Sequence, residues 1–160
     1  NEFLDTHKVV DSMRTCEEIK RVFLEKIEAQ IAKKEIREIP GASGFLDKLK
    51  LIENVEITFA TGGWYESAVL KLKSAGIDFS NIPIASCNNH FSRIEIMKIA
   101  ENMTVNCIEV PYTYFGDGIW DLKSCEELGV NFVLVGNKLE YHQNIKDFTF
   151  HNKALTYIGL

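Results

Sequence analysis

Two carboxylates lie four positions apart in YFGDGIWDLKSCEELGV, the segment from Tyr114 to Val130. They are Asp117 and Asp121, and they lie where an apolar run gives way to helical spacing. Mg²⁺ prefers hard oxygen ligands, often one or two carboxylates with water and substrate phosphate completing its shell. The pair is therefore a candidate Mg²⁺ site. In the structural alternative, Asp117 and Gly118 form a tight turn and Asp121 interacts favourably with a helix dipole.

A candidate phosphate-binding turn follows the apolar segment VEITFA. It consists of Thr61, Gly62 and Gly63 and lies just before a predicted helix. A hydroxyl group and free backbone N–H groups at a helix N-terminus bind phosphoryl oxygens well. The same sequence also occurs in turns that only need the backbone freedom of glycine, so alone it is weak evidence.

Arg93 is the candidate cation for the same site. The sequence SRIE predicts a helix capped by Ser92 with Glu95, which places Arg93 at the first helical position. A guanidinium group is permanently charged and forked, so it suits a phosphoryl group or an aspartyl-phosphate. A solvated surface arginine is the alternative. Lys98 lies a full turn further in and is expected to point elsewhere, and His90 is expected to be a loop residue.

The surrounding segments alternate between strand-like and helix-like patterns. An amphipathic helix is predicted within residues 6–38, with a capping box at Thr15 and Glu18. Its apolar face consists of Ile19, Val22, Phe23, Ile27 and Ile31. The later predicted elements are a helix at Ser43–Leu51, a strand at Val55–Ala60, a helix stopped by Gly76, a strand at Ile82–Ser86, a helix from Ser92 to Asn102, a strand after Pro111, a helix with Leu122, Cys125 and Leu128 inward, a strand at Phe132–Gly136 and a weak helix around Ala154.

This alternation predicts a doubly wound, mostly parallel α/β sheet of Rossmann-like type. In open sheets of that kind, ligands bind beyond the carboxyl ends of the strands. Thr61, Arg93 and the acid pair each follow one of three successive predicted strands. We therefore expect them to converge on one pocket, and their coincidence favours the functional interpretation of each.

Composition limits the class of protein. The 160 residues are 46% hydrophobic and 26% charged, as expected for one compact domain. A net charge of −5 argues against a nucleic-acid or anionic-membrane partner. No signal peptide and no run of about 20 apolar residues is present, and the cysteines form no CxxC motif, which indicates a reduced, cytoplasmic protein. They are Cys16, Cys87, Cys107 and Cys125.

The order of the motifs resembles that of the haloacid dehalogenase (HAD) superfamily of phosphohydrolases. Thr61 in ITFATGG matches the Thr or Ser that ends a strand in the second motif of that family. Arg93 in SRIEIMKIA matches the basic residue of the third motif, where lysine is more usual. GDGIWD, from Gly116 to Asp121, fits the GDxxxD form of the fourth motif and is the most specific of the three. The resemblance covers about residues 40–160.

The first motif of the family, DxD on a central N-terminal strand, has no counterpart in the chain. The segment FLDT (Phe3–Thr6) resembles the stretch that commonly follows that motif, so Asp5 is not expected to be the nucleophile. We expect residues 1–39 to be a small helical cap insertion, residues 40–160 to be the HAD-like core, and the motif strand to be missing upstream. Its loss would leave two neighbouring strands facing a gap with unpaired backbone groups.

The resemblance implies a Mg²⁺-dependent phosphatase that acts on a small phosphorylated metabolite through an aspartyl-phosphate. Asp117 and Asp121 would hold the metal, and their presence favours a phosphatase over a dehalogenase, which holds none. Thr61 and the Gly62 amide would bind phosphoryl oxygens, and Arg93 would neutralise charge. Two alternatives stay open: a non-catalytic binding or regulatory domain of the same fold, and a phosphoacceptor signalling domain of flavodoxin-like topology.

Overall fold

Helices and short strands alternate along the chain in the computed structural model, which describes residues 12–104 and 112–160. The predicted α/β class is confirmed. Within the described residues the helices are α1 (Ser12–Lys33), α2 (Ala42–Lys50), α3 (Tyr65–Ser74), α4 (Arg93–Asn102), α5 (Ile119–Leu128) and α6 (His151–Thr156), and the strands are β1 (Phe59–Ala60), β2 (Ile84–Ala85), β3 (Thr113–Gly116), β4 (Asn131–Val135) and β5 (Asn144–Ile145).

The described strands are all parallel to their neighbours, but they form two separate sheets. β1 pairs with β2, and β4 lies between β3 and β5. Because parallel strands cannot be joined by a tight hairpin, a crossover segment must connect each pair. α3 is the crossover between β1 and β2, and α5 is the crossover between β3 and β4. Within each sheet the carboxyl ends of the strands therefore lie at one edge.

β4 is the centre of the larger sheet and is covered on both faces. Phe132 and Leu134 pack against α4 and α5, while Val133 and Val135 pack against α2 and α6. Consecutive side chains of a strand point to opposite faces, so a strand buried on both faces needs an uninterrupted apolar run. This explains the uninterrupted apolar run FVLV, which is predicted as a strand from the sequence.

The break between the two sheets lies between β1 and β3, which no ladder joins. The Ala60 carbonyl points away from β2 and accepts a hydrogen bond from the Tyr114 hydroxyl at 3.3 Å. α4 spans the break, because its side chains pack against Ala85 of β2 and also against β4. The two sheets are therefore held together by side chains rather than by backbone pairing.

α1 has 22 residues and packs on α3, but its apolar face is only partly covered. Ile27 and Ile31 are half-buried, whereas Ile19, Val22 and Phe23 are 36–45% exposed. The helix therefore does not pack against a core along its whole predicted apolar face. Within the described residues, no helix combines the length and apolar character needed to cross a bilayer.

Two contacts attach α1 to the N-terminal end of α3. The ring of Phe23 meets that of Trp64 edge-on, with 5.1 Å between ring centroids. The ammonium group of Lys20 forms an ion pair with the Glu66 carboxylate at 2.7 Å. α1 is thus fixed beside the turn that follows β1.

The predicted helix bounds agree with the structure better than the predicted strand bounds. α2 and α4 match to within one residue. β1 is shorter than the predicted Val55–Ala60, because only its last two residues have a parallel partner. The capping box predicted at Thr15 is wrong, since α1 is already helical at Ser12. Cys107, Pro111 and the FLDT segment lie outside the described residues.

Candidate functional site

The turn after β1 brings Thr61, Gly62 and Gly63 to the carboxyl edge of the smaller sheet. The Thr61 N–H donates to the Ala85 carbonyl at 2.9 Å, which continues the pairing for one residue beyond β1. Its side-chain Oγ1 then accepts a hydrogen bond from the Gly63 N–H at 3.1 Å. α3 begins two residues later, at Tyr65. The hydroxyl proton of Thr61 is therefore available to an oxygen bound at the N-terminal end of that helix.

Arg93 is the first residue of α4, as predicted, with Ser92 at the N-cap position. A Cβ atom placed on Gly62 would lie 3.5 Å from Nη2 of Arg93, so the guanidinium group lies against the turn after β1. The predicted capping box with Glu95 does not form, because Ser92 makes no side-chain cap bond and Glu95 pairs with Lys98 at 2.9 Å. The ammonium group of Lys98 is occupied by this ion pair.

Asp121 is the buried charge of the site, with 6% of its surface exposed. Its Oδ1 accepts a hydrogen bond from Nη1 of Arg93 at 2.7 Å, and its Oδ2 accepts one from the Gly118 N–H at 3.1 Å. Partners of this kind are required because an unpaired buried carboxylate is very costly. Asp121 therefore caps α5, the structural role weighed from the sequence, and also links α5 to α4.

Gly116 makes room for the Asp121 side chain. A Cβ atom at position 116 would lie 2.8 Å from Cβ, Cγ and Oδ2 of Asp121. The close approach, rather than an unusual backbone angle, is what requires glycine at the end of β3.

Tyr114 connects the ion pair to the break between the sheets. Its hydroxyl group donates to the Ala60 carbonyl and accepts a hydrogen bond from Nη1 of Arg93 at 3.4 Å. Burial, together with the negative charge of Asp121, raises the pKa of Tyr114 above its ordinary range. The same two causes raise the pKa of Cys125 to about 12. Both groups are therefore protonated at neutral pH, and the site holds a neutral phenol donor beside its ion pair.

Asp117 is the accessible member of the acid pair, with 55% of its side chain exposed. Its Oδ2 accepts a hydrogen bond from the ammonium group of Lys138, which lies in the loop after β4. The hydrogen bond and the charge of Asp117 raise the pKa of Lys138. Asp117 thus faces solvent beside a cation, whereas Asp121 faces the interior.

The structure brings together the Gly62 turn, Arg93 and Asp121, with Thr61 in the same turn. Asp117 lies on the connection from β3 to α5, four positions before Asp121. Sequence reasoning missed Tyr114 and Lys138. Lys138 had a usable signal, because it follows the carboxyl end of a strand as the other site residues do. Tyr114 had none, because an aromatic residue within a strand is usually a core residue.

The two aspartates supply the kind of donor that Mg²⁺ takes. Within residues 12–104 and 112–160 no group of three or more His, Cys, Asp or Glu side chains could hold a metal ion. A Mg²⁺ ion needs fewer protein ligands than that, because it retains several waters and commonly binds one or two carboxylates. Asp117 is exposed enough to be a direct ligand, whereas both carboxylate oxygens of Asp121 already accept hydrogen bonds, so the fit to the ion rests on Asp117.

Comparison with known proteins adds no family assignment. The sequence matches no model of a known protein family, and no curated protein is significantly similar to it. The chemistry of the site therefore has to be argued from its geometry.

Proposed function

We propose that the chain is the α/β core of a Mg²⁺-dependent, HAD-like phosphatase that acts on a small phosphorylated metabolite through an aspartyl-phosphate. The supporting observation is the position of the Arg93 guanidinium group, which contacts the Asp121 carboxylate and lies against Gly62. The guanidinium group of Arg93 thus contacts residues of the two other motifs, Gly62 and Asp121. These contacts lie at the strand ends, where α/β sheets bind ligands.

The charge balance of the site supports a divalent metal. Arg93 and Lys138 contribute two positive charges, and Asp117 and Asp121 contribute two negative ones. The charges of these four side chains sum to zero. A phosphate monoester dianion that entered the site would therefore meet no net positive charge. A bound Mg²⁺ would supply that charge and reduce the repulsion between the phosphoryl group and an anionic nucleophile.

The remaining roles in binding and orientation would fall to side chains and backbone groups of the chain itself. The Thr61 hydroxyl and the Gly62 N–H would donate to phosphoryl oxygens at the N-terminal end of α3. The guanidinium group of Arg93 donates from Nη1 to Asp121, and its other N–H groups would donate to the phosphoryl group. Asp117 would be the direct metal ligand, and Asp121 would orient Arg93 while contributing negative charge to the same place.

The break between β1 and β3 supports a position for the nucleophile. Neighbouring parallel strands lie about 4.8 Å apart and pair along their backbones, yet these two strands have no ladder between them. A strand inserted in the break would end at the same edge as Thr61 and Asp121. We propose that the nucleophilic aspartate lies at the carboxyl end of such a strand, since the sequence itself contains no DxD motif.

The test is phosphate release from a panel of phosphorylated metabolites by the protein with its native N-terminus, with and without Mg²⁺. Replacing Asp117 by Asn should lower turnover at least about a hundredfold, because the metal would lose its accessible anionic ligand. The matched control is Glu126→Gln, which removes an exposed carboxylate from α5 and should leave turnover unchanged.

Calorimetric titration of the same proteins with orthophosphate and Mg²⁺ separates binding from turnover. Mg²⁺-dependent binding without any turnover would favour the non-catalytic alternative on the same fold. If Asp117→Asn changed neither binding nor turnover, the metal assignment would be rejected.

A further inference from the structure

An apolar groove with a basic rim runs between α1 and α3, outside the charged site. Its volume is about 280 Å³. Its apolar lining consists of Phe23, Ile27, Ile31 and Ile36, and its polar lining consists of Lys26, Gln30, Lys34 and Lys71. One end is closed where the Ile36 N–H donates to Ser74 Oγ at 3.0 Å. The apolar walls therefore come from α1 and from Ile36 in the segment after it, and α3 contributes Lys71 to the rim.

The length of the groove suits an extended alkyl chain. From Phe23 to Lys33, the last residue of α1, the helix axis covers about 15 Å, since a helix rises about 1.5 Å per residue. The apolar lining residues Phe23, Ile27, Ile31 and Ile36 follow one another along that length. A single hydrocarbon chain laid along α1 would contact each of them.

The charges around the groove restrict the occupant further. Among the described residues that line it, the charged ones are all lysines, although the whole chain has a net charge of −5. Lys26, Lys34 and Lys71 are exposed, and no ion pair within the described residues occupies their ammonium groups. Their aliphatic stems can extend the apolar wall while the charged ends reach an anionic head.

We propose that this groove binds a free fatty acid, with the alkyl chain along α1 and the carboxylate at the lysine rim. The buried methylenes of such a chain supply most of the affinity, and exposed ion pairs add orientation more than affinity. The site is independent of the phosphatase proposal, because none of its residues belongs to the charged site.

The groove has a natural reporter. Phe23 lines it and contacts the ring of Trp64, and Trp120 is the other tryptophan of the chain. In a Trp120→Phe background, titration with laurate below its micelle concentration should give a saturable change in Trp64 fluorescence. Dodecyltrimethylammonium has an alkyl chain only one carbon longer and a cationic head, and it should bind at least tenfold more weakly.

Charge reversal on the rim tests the position of the head group. The double variant Lys34→Glu, Lys71→Glu should weaken laurate binding at least tenfold. The matched control is Lys33→Glu, a neighbouring exposed lysine of α1 outside the groove, which should change affinity less than twofold. Circular dichroism of each variant confirms that the helices are retained.

Three results would overturn the proposal. One is the absence of saturable laurate binding by the folded protein. Another is equal binding of the cationic amphiphile, or equal weakening by Lys33→Glu. The third is concentration-dependent self-association in sedimentation that the double variant abolishes, because the groove would then be an interface between two copies of the chain.

Discussion

Arg93 and Asp121 stabilise each other, and this limits which substitution can test function. Asp121 is buried, whereas 32% of the Arg93 side chain is exposed. Removing the guanidinium group would leave a buried carboxylate without its counter-charge, at a cost of up to about 3–5 kcal/mol for a fully buried pair. A loss of activity on replacing Arg93 could therefore reflect unfolding. Asp117 is exposed and is the better probe of chemistry.

At Gly116 we predict that Ala lowers the free energy of unfolding by about 1–3 kcal/mol, the usual cost of overpacking. The added Cβ would lie 2.8 Å from Asp121, whose own Cβ is fixed on α5, so the carboxylate would have to move away from Arg93. Urea unfolding measures the change. The control is Gly118→Ala, where the new Cβ meets Asp121 at an ordinary 3.4 Å. Equal destabilisation by both changes would contradict the prediction.

At the level of single residues, the sequence predicted Thr61, Arg93 and the two aspartates, but it missed Tyr114 and Lys138 and gave no contacts. Their positions after predicted strands placed Thr61, Arg93 and Asp121 at one edge of the sheet. In the structure the Arg93 guanidinium group lies against Gly62, next to Thr61, and contacts Asp121. The partner of Asp117 was not predictable, because Lys138 is about twenty residues away and only the β3–β4 register brings it near. Sequence periodicity indicates which face of a helix or strand is buried and where that element ends. It does not indicate which distant side chains form an ion pair.

Among the elements, α1 is joined to the N-terminal end of α3 by side-chain contacts. These include the Phe23–Trp64 ring contact and the ion pair between Lys20 and Glu66. The hydrogen bond from Lys20 is the largest cause that lowers the pKa of Glu66 below 4.5. A carboxyl group whose pKa is lowered in the folded state adds stability above its unfolded pKa and loses it as the pH falls through the folded value.

We therefore predict that Glu66→Gln weakens the docking of α1 by about 0.2–1 kcal/mol at neutral pH, the usual range for an exposed ion pair. The difference from the unsubstituted protein should shrink below pH 4.5 as the Glu66 carboxyl group becomes protonated. Trp64 fluorescence during urea unfolding in the Trp120→Phe background measures it.

The control for this prediction is Glu25→Gln. It removes an exposed ion pair with Arg21 that lies within α1 and does not join two elements. A difference for Glu66→Gln that persists unchanged at pH 3 would show that the ion pair does not hold the helix.

Element prediction succeeded where local signals were strong. α4 begins after Ser92 and β4 covers the apolar run FVLV, as expected. β5 was missed, because two paired residues, Asn144 and Ile145, carry no alternation to detect. β1 was predicted too long because β propensity does not report whether a partner strand is present.

On the scale of the whole molecule, the split sheet should be visible in amide hydrogen exchange. The N–H group of Phe59 donates to the carbonyl of Pro83, just before β2, and that of Thr61 donates to the carbonyl of Ala85 in β2. The backbone N–H and C=O groups of successive residues in a strand point to opposite edges of that strand. The Ala60 N–H therefore points toward β3, and no ladder joins β3 to β1. We predict that, in this 160-residue chain, the Ala60 amide exchanges at least about a hundredfold faster than that of Thr61, because local protection follows local hydrogen bonding.

NMR-detected exchange resolves these neighbouring amides. The internal control is Leu134 in β4, whose N–H donates to the Gln143 carbonyl at 2.9 Å and whose strand is paired on both sides, so it should be among the slowest. Equal protection at Ala60 and Thr61 in the 160-residue chain would mean that one of its own segments already pairs with the β3-facing edge of β1. In that case no strand could be inserted there, and the proposed position of the nucleophilic aspartate would be wrong.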